Sequence, residues 1–224
     1  MKKLALTILA LAMILACGSL VVQAENKTPA TPRDTSQVVS KEFKLNNFET
    51  VDVSGGMTII VKQGQPAKVL ASCNQNSINK LLISVDKNIL TIRTAKNYNA
   101  SHAKIIVSAP TIKTINSSGA ASVVANQING DFLKISSHNN STVKSTGSVQ
   151  TVVVNGDGRS FLNLENLRSK DCVAVVADEA CAKVFASNTL KATASGKSVI
   201  NVKGNPRILK RAVANSSILK LSND

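Results

Sequence analysis

The chain has 224 residues and is 43% hydrophobic, enough to bury a core, yet only 3% aromatic, with no Trp, one Tyr and five Phe. Its formal net charge of +14 favours anionic partners such as lipopolysaccharide, acidic glycans or a membrane surface of anionic headgroups. The shortage of aromatics argues against nucleic acid, because single-strand binders stack bases on aromatic rings.

Residues 1–24, MKKLALTILALAMILACGSLVVQA, set Lys2 and Lys3 ahead of an apolar run from Leu4 to Ala16. The run is short for a membrane span and stands at the N-terminus, so it reads as an export signal. Two processing routes compete. Val22-Gln23-Ala24 suits ordinary signal peptidase, with cleavage after Ala24, whereas Ile14-Leu15-Ala16-Cys17 has the form of a bacterial lipobox in which Cys17 would be lipidated. Either route places the mature chain in the periplasm, the outer membrane or the cell surface of a bacterium. Residues 25–39, ENKTPATPRDTSQVV, are polar with two prolines and read as a disordered linker.

From Ser40 the pattern changes to short apolar runs of period two, which predict strands. These are FETVDVS (48–54), MTIIVKQ (57–63), AKVLASC (67–73), LLISVD (81–86), ILTIRT (89–94) and AKIIVSA (103–109). Gly55-Gly56, Gly64 to Pro66 and Lys87-Asn88 separate them as turns, and NQNSINKL (74–81) allows one short helix.

Beyond Ile112 the units grow uniform. KTINSSG (113–119) leads into AASV, LKISSHN (133–139) into NSTV, and TVVVNGDG (151–158) into Phe161-Leu162. CVAVV (172–176), LKATASGKSVI (190–200) and LKRAVANSSIL (209–219) continue the series at a spacing of roughly 18 to 21 residues. A unit that short cannot bury its own apolar face and must stack on its neighbours. The expected fold is an all-β parallel solenoid occupying residues 40–224, with Val, Ile and Leu turned inward and Lys, Ser, Thr and Asn outward. Small residues at the turns let one coil sit on the next.

The stretch NFETVDVSGGMTIIVKQGQPAKVLASCNQNSINKLLISVDKNILTIRT resembles the opening of the auto-transporter adhesin head domain called GIN. The likeness lies in its FxxVxVSGG start, its QG turn and its LxIRT strand. SSGAASVVA (117–125) and VKGNPRILKRAVANSSILKL (202–221) resemble that family's middle and end, so the likeness runs from about Phe43 to Leu221. The resemblance implies an exported, right-handed β-helix of the bacterial envelope and supplies no catalytic residues. The family's acidic GSGD-type turns are replaced here by SSGA, SHNN, SGKS and ANSS, which argues against calcium held by turn carboxylates.

Four lysines follow an apolar residue at one step of the unit: Lys113, Lys134, Lys191 and Lys210. In a solenoid they are expected on one outer face, interrupted in the two middle units. A column of like charges one coil apart repels itself and gains from an anionic polymer laid across it; independently solvated lysines are the alternative. Cys73, Cys172 and Cys181 remain besides Cys17. The spacing of Cys172 and Cys181 allows a local disulfide in an exported chain, and buried free thiols are the other outcome. With no Cys-x-x-Cys and only His102 and His138, no metal site and no cofactor are expected.

NGDG (155–158) reads as a turn, since it lacks the further oxygen ligands that calcium needs. Asp157, Asp171, Asp178 and Glu179 are the acids that a polysaccharide-active β-helix enzyme would have to use, yet such chemistry needs two carboxylates at controlled separation across a cleft. The sequence thus points to a non-catalytic envelope or surface module that binds or adheres, with anionic glycan or lipopolysaccharide as ligand class. A purely structural scaffold is the first alternative and the enzyme the second.

Overall fold

The computed structural model describes residues 37–222 apart from Gln65, Asn97, Asn99 and Ser101. The export segment with Cys17, and most of the expected linker, lie outside the described residues. Val38 and Val39, the last two residues of the expected linker, belong instead to β1 (Val38–Lys44), which pairs with a later strand.

The first strands follow the apolar runs closely. They are β2 (Thr50–Ser54), β3 (Thr58–Gln63), β4 (Lys68–Asn74), β5 (Leu81–Asp86), β6 (Ile89–Thr94) and β7 (Lys104–Ala109). The expected helix is a single turn, α1 (Gln75–Ile78), capped by the Asn74 side chain, which accepts from the Ser77 N–H at 2.8 Å. Then come β8 (Thr114–Ser118), β9 (Ser122–Ser137), β10 (Thr142–Gly156), β11 (Phe161–Val176), β12 (Cys181–Phe185), β13 (Thr189–Ala194), β14 (Val199–Lys203), β15 (Arg207–Val213) and β16 (Ile218–Leu221).

These strands form a β-solenoid of about 5 turns. Its front wall runs β1-β4-β7-β3 and on through the first halves of β9, β10 and β11 to β12, β14 and β16. The back wall runs β5-β6-β2-β8 and on through the second halves of β9, β10 and β11 to β13 and β15. Because the long strands continue round the corner, both walls belong to one 16-stranded sheet. Register partners in successive front-wall rungs from Val123 to Leu219 lie 18–20 residues apart, the coil length expected from the repeat.

Alternation then decides what is buried. Val123, Val143, Leu162, Ala182 and Ile200 stack inside the front wall, and Leu133, Val152, Cys172 and Leu190 inside the back wall, all 1% exposed or less. Each large aliphatic buried in this way contributes about 1.5–3 kcal/mol. Ala125, Ala174, Ala182 and Ala192 keep the interior thin, which is why so few aromatics suffice; Phe48 is the one aromatic among the largest fully buried side chains.

At one corner the chain turns through tetrads beginning at Ser118, His138, Asp157, Ala177, Ser195 and Ala214. The second residue of each has positive φ: Gly119, Asn139, Gly158, Asp178, Gly196 and Asn215. Gly and Asn, and to a lesser degree Asp, tolerate that conformation. The NGDG turn therefore centres on Asp157-Gly158, while Asn155 still belongs to β10. Tetrads hydrogen-bond to the turn before them, for example Arg159 N–H to the Asn139 carbonyl at 2.7 Å and Glu179 N–H to the Gly158 carbonyl at 2.9 Å.

The N-terminal rungs depart from simple stacking. β2 lies between β6 and β8, and β3 between β7 and β9, so an early rung is inserted between two later ones. Three antiparallel pairings, β5 on β6, β4 on β7 and β1 on β4, close this end. Among the described residues no antiparallel strand covers the other end: on β15 and β16, Ile208, Leu209, Val213, Ile218 and Leu221 are 37–50% exposed.

Candidate functional site

The back wall receives the four lysines expected to share a column, and register separates them. Thr114 pairs with Lys134, Lys134 with Val153, Val153 with Val173, Val173 with Lys191, and Lys191 with Lys210. Lys134, Lys191 and Lys210 therefore share a column with Val153 and Val173 between them. Lys113 stands one residue out of step and pairs instead with Glu49 at 2.9 Å. Lys191 and Lys210 are direct neighbours, about 4.8 Å apart along the stack. No carboxylate of a described residue lies within ion-pair distance of Lys134, Lys191 or Lys210.

The front wall holds a second basic column that spacing along the lysine-bearing units does not reveal. Lys144 pairs with Asn163, Asn163 with Lys183, Lys183 with Asn201 and Asn201 with Lys220. Lysine and asparagine alternate rung by rung, so like charges stand two rungs apart and an amide separates each pair. The signal was available in the middle residue of VKS, LNL, AKV, INV and LKL, the second strand of each unit. Lys183 also lies 5.9 Å from the centre of the outward Phe161 ring.

The carboxylates are occupied in fastening one rung to another. Asp157 Oδ2 lies 2.7 Å from His138 Nδ1, Glu179 accepts from Arg159 at 3.0 Å, and Asp178 accepts from the Gly158 N–H at 3.0 Å. Asp171, at the start of a back-wall strand, accepts from Asn188 and Thr189. Three of the four thus lie in stacked turns, and the fourth lies within β11. Among the described residues no group of three or more His, Cys, Asp or Glu side chains could hold a metal ion.

The thiols of Cys73, Cys172 and Cys181 are free, which corrects the Cys172–Cys181 disulfide allowed by spacing and leaves the other outcome, free thiols. Cys172 points into the core from the back wall and is 1% exposed, whereas Cys181 opens a front-wall strand and is only partly buried, with its neighbour Ala182 facing inward. Burial pushes the Cys172 thiol up to about 12. It also raises Cys73, and raises Cys181 against the opposing effect of nearby Lys183.

Charged side chains thus stand in outer columns on both walls of the stack. The chain belongs to the family described as "Putative auto-transporter adhesin, head GIN domain", whose model matches residues 47–206. Solved structures share the fold. A "putative adhesin" from Bacteroides fragilis is 19% identical, with a TM-score of 0.65 over 84% of this chain and 97% of that one. A "putative adhesin" from Parabacteroides distasonis is 20% identical, with a TM-score of 0.53 over 83% and 98%. A "putative lipid binding protein" from the same species is 13% identical, with a TM-score of 0.52 over 84% and 98%. No curated protein matches this chain.

Proposed function

We propose that the protein is an exported, non-catalytic module of the bacterial envelope or cell surface that binds an anionic glycan or lipopolysaccharide through its lysine-bearing walls. The observation that carries this reading is the stacking of Lys191 on Lys210 without a neutralising acid among the described residues. A self-repelling pair gains when a polyanion lies across it. The adhesin and lipid-binding descriptions of proteins with this fold are compatible with it. Heparin and lipopolysaccharide are the probes. Binding should weaken as salt rises and be lost when Lys134, Lys191 and Lys210 are replaced together by Glu. Binding that ignores both changes would remove this reading and leave a structural scaffold, which the ladder of bonds between turns also suits.

A further inference from the structure

The front-wall column that reads Lys144-Asn163-Lys183-Asn201-Lys220 continues beyond Lys144 with different chemistry. Lys144 pairs with Val124, Val124 with Ile60, Ile60 with Ile106 and Ile106 with Leu70. These four aliphatic side chains occupy adjacent rungs on the outer surface and are only partly covered. Single exposed aliphatics are ordinary on a protein surface. Four in one unbroken column are a continuous apolar track.

Lysines frame that track. Lys104 stands on the same outer face, two residues before Ile106, and Lys62 two residues after Ile60. Lys68 is two residues before Leu70, and Lys144 closes the track on the next rung. None of the four has a carboxylate of a described residue within ion-pair distance. An open depression of about 350 Å³ lies over the track where it meets the basic half, lined by Thr58, Ile60, His102, Lys104, Val124 and Asn126. Ile60 and Val124 supply its apolar part, and His102, Lys104 and Asn126 its polar edge.

We infer that this depression and track hold one anionic lipid, with an acyl chain along Val124, Ile60, Ile106 and Leu70, its acidic head group at the Lys144 end of the track and Lys104 on the track's flank. A purely polar sugar chain gains nothing from a four-rung aliphatic track. A second copy of this chain would set the same lysines against one another. The inference concerns the wall opposite the Lys191–Lys210 pair; its ligand shares negative charge with a glycan, and acyl chains as well with lipopolysaccharide, so heparin is the probe that separates the two.

The test is calorimetric titration of the exported protein with dodecyl phosphate below its micellar concentration, with inorganic phosphate and dodecyl maltoside as comparisons. Dodecyl phosphate should bind more tightly than either. Ile60→Thr with Val124→Thr, which keep β-branched side chains, should weaken it about tenfold. Lys104→Gln with Lys144→Gln should weaken it about fivefold. Lys191→Gln with Lys210→Gln should leave it unchanged, and thermal unfolding of each variant reports its fold. Equal binding of dodecyl maltoside, indifference to both front-wall pairs, or binding seen only with anionic vesicles would overturn the inference. Heparin titrated against the same proteins keeps the two readings apart. Heparin bound through Lys191 and Lys210 with no dodecyl phosphate bound defeats this inference alone, and the reverse pattern defeats only the glycan reading.

Discussion

Gly147 stands so close to Ile128 on the neighbouring rung that a Cβ built on it would lie 2.0 Å from the Ile128 carbonyl oxygen. Its φ of +135° is one that side chains rarely adopt, and the register between the two strands shifts at this point. Gly147→Ala should therefore cost about 3 kcal/mol or more, since backbone has to move and strain is added. Gly130→Ala, where nothing lies within 4 Å of the added carbon, should stay within about 0.5 kcal/mol of the parent. Urea unfolding of the two variants side by side checks the contrast.

The buried serines at the turn corner should divide in the same manner. The Ser141 hydroxyl lies 3.1 Å from the Ser117 carbonyl and 2.9 Å from that of His138, and accepts from the His138 N–H at 3.1 Å. Ser160 occupies the equivalent place one rung on, and its hydroxyl has no hydrogen-bond partner among the described residues. Ser141→Ala should cost about 1–2 kcal/mol, and Ser160→Ala should be neutral or stabilise by up to about 1 kcal/mol. Thermal denaturation of both variants measures the difference.

Cys172 predicts a loss of stability in alkali. Below pH 9, both folded and unfolded chains keep its proton. Above it the unfolded chain releases the proton first, because burial holds the folded thiol up to about 12. The unfolded state then binds fewer protons, so stability falls as pH rises from about 9 to about 12. Cys172→Val, matching the Val152 beneath it, should flatten that decline in denaturant titrations across this range. At neutral pH iodoacetamide should label Cys181 well before Cys172, counted by intact mass.

Lys210→Glu should do two things at once. Opposite Lys191 it replaces a like pair by an unlike one, which should raise stability by about 0.5 kcal/mol at low salt and by nothing at high salt. The same change should weaken heparin binding. A stability gain together with unchanged binding would count against the back wall as a polyanion site.

Much of the solenoid was legible because period two and the small-residue turns are local properties. AKIIVSA and LLISVD became β7 and β5 with nearly the expected bounds. Which rung a strand joins is not local. Nothing in TVDVS states that its neighbours are ILTIRT and TINSS, so the inserted rung was not foreseen. Register fared likewise: aligning Ile112-Lys113 with Leu133-Lys134 looks natural, yet inward Ile115 pairs with Ile135 and moves Lys113 out of step. A bulge had the opposite effect between Leu190 and Lys191, where Leu190 pairs with Ile208 and Leu209 is left exposed. The front-wall track escaped notice because its members come from four strands scattered between Ile60 and Val124.

The rung of β2 and β3 is made early and completed late. A polypeptide emerging N-terminus first, from a ribosome or a translocation pore, shows these two segments to the solvent long before residues 89–125 arrive to flank them. The hydrogen-bonding edges of both segments wait for their strand partners until Asn126 has appeared. The strands from β10 onward instead each meet a formed neighbour as they appear.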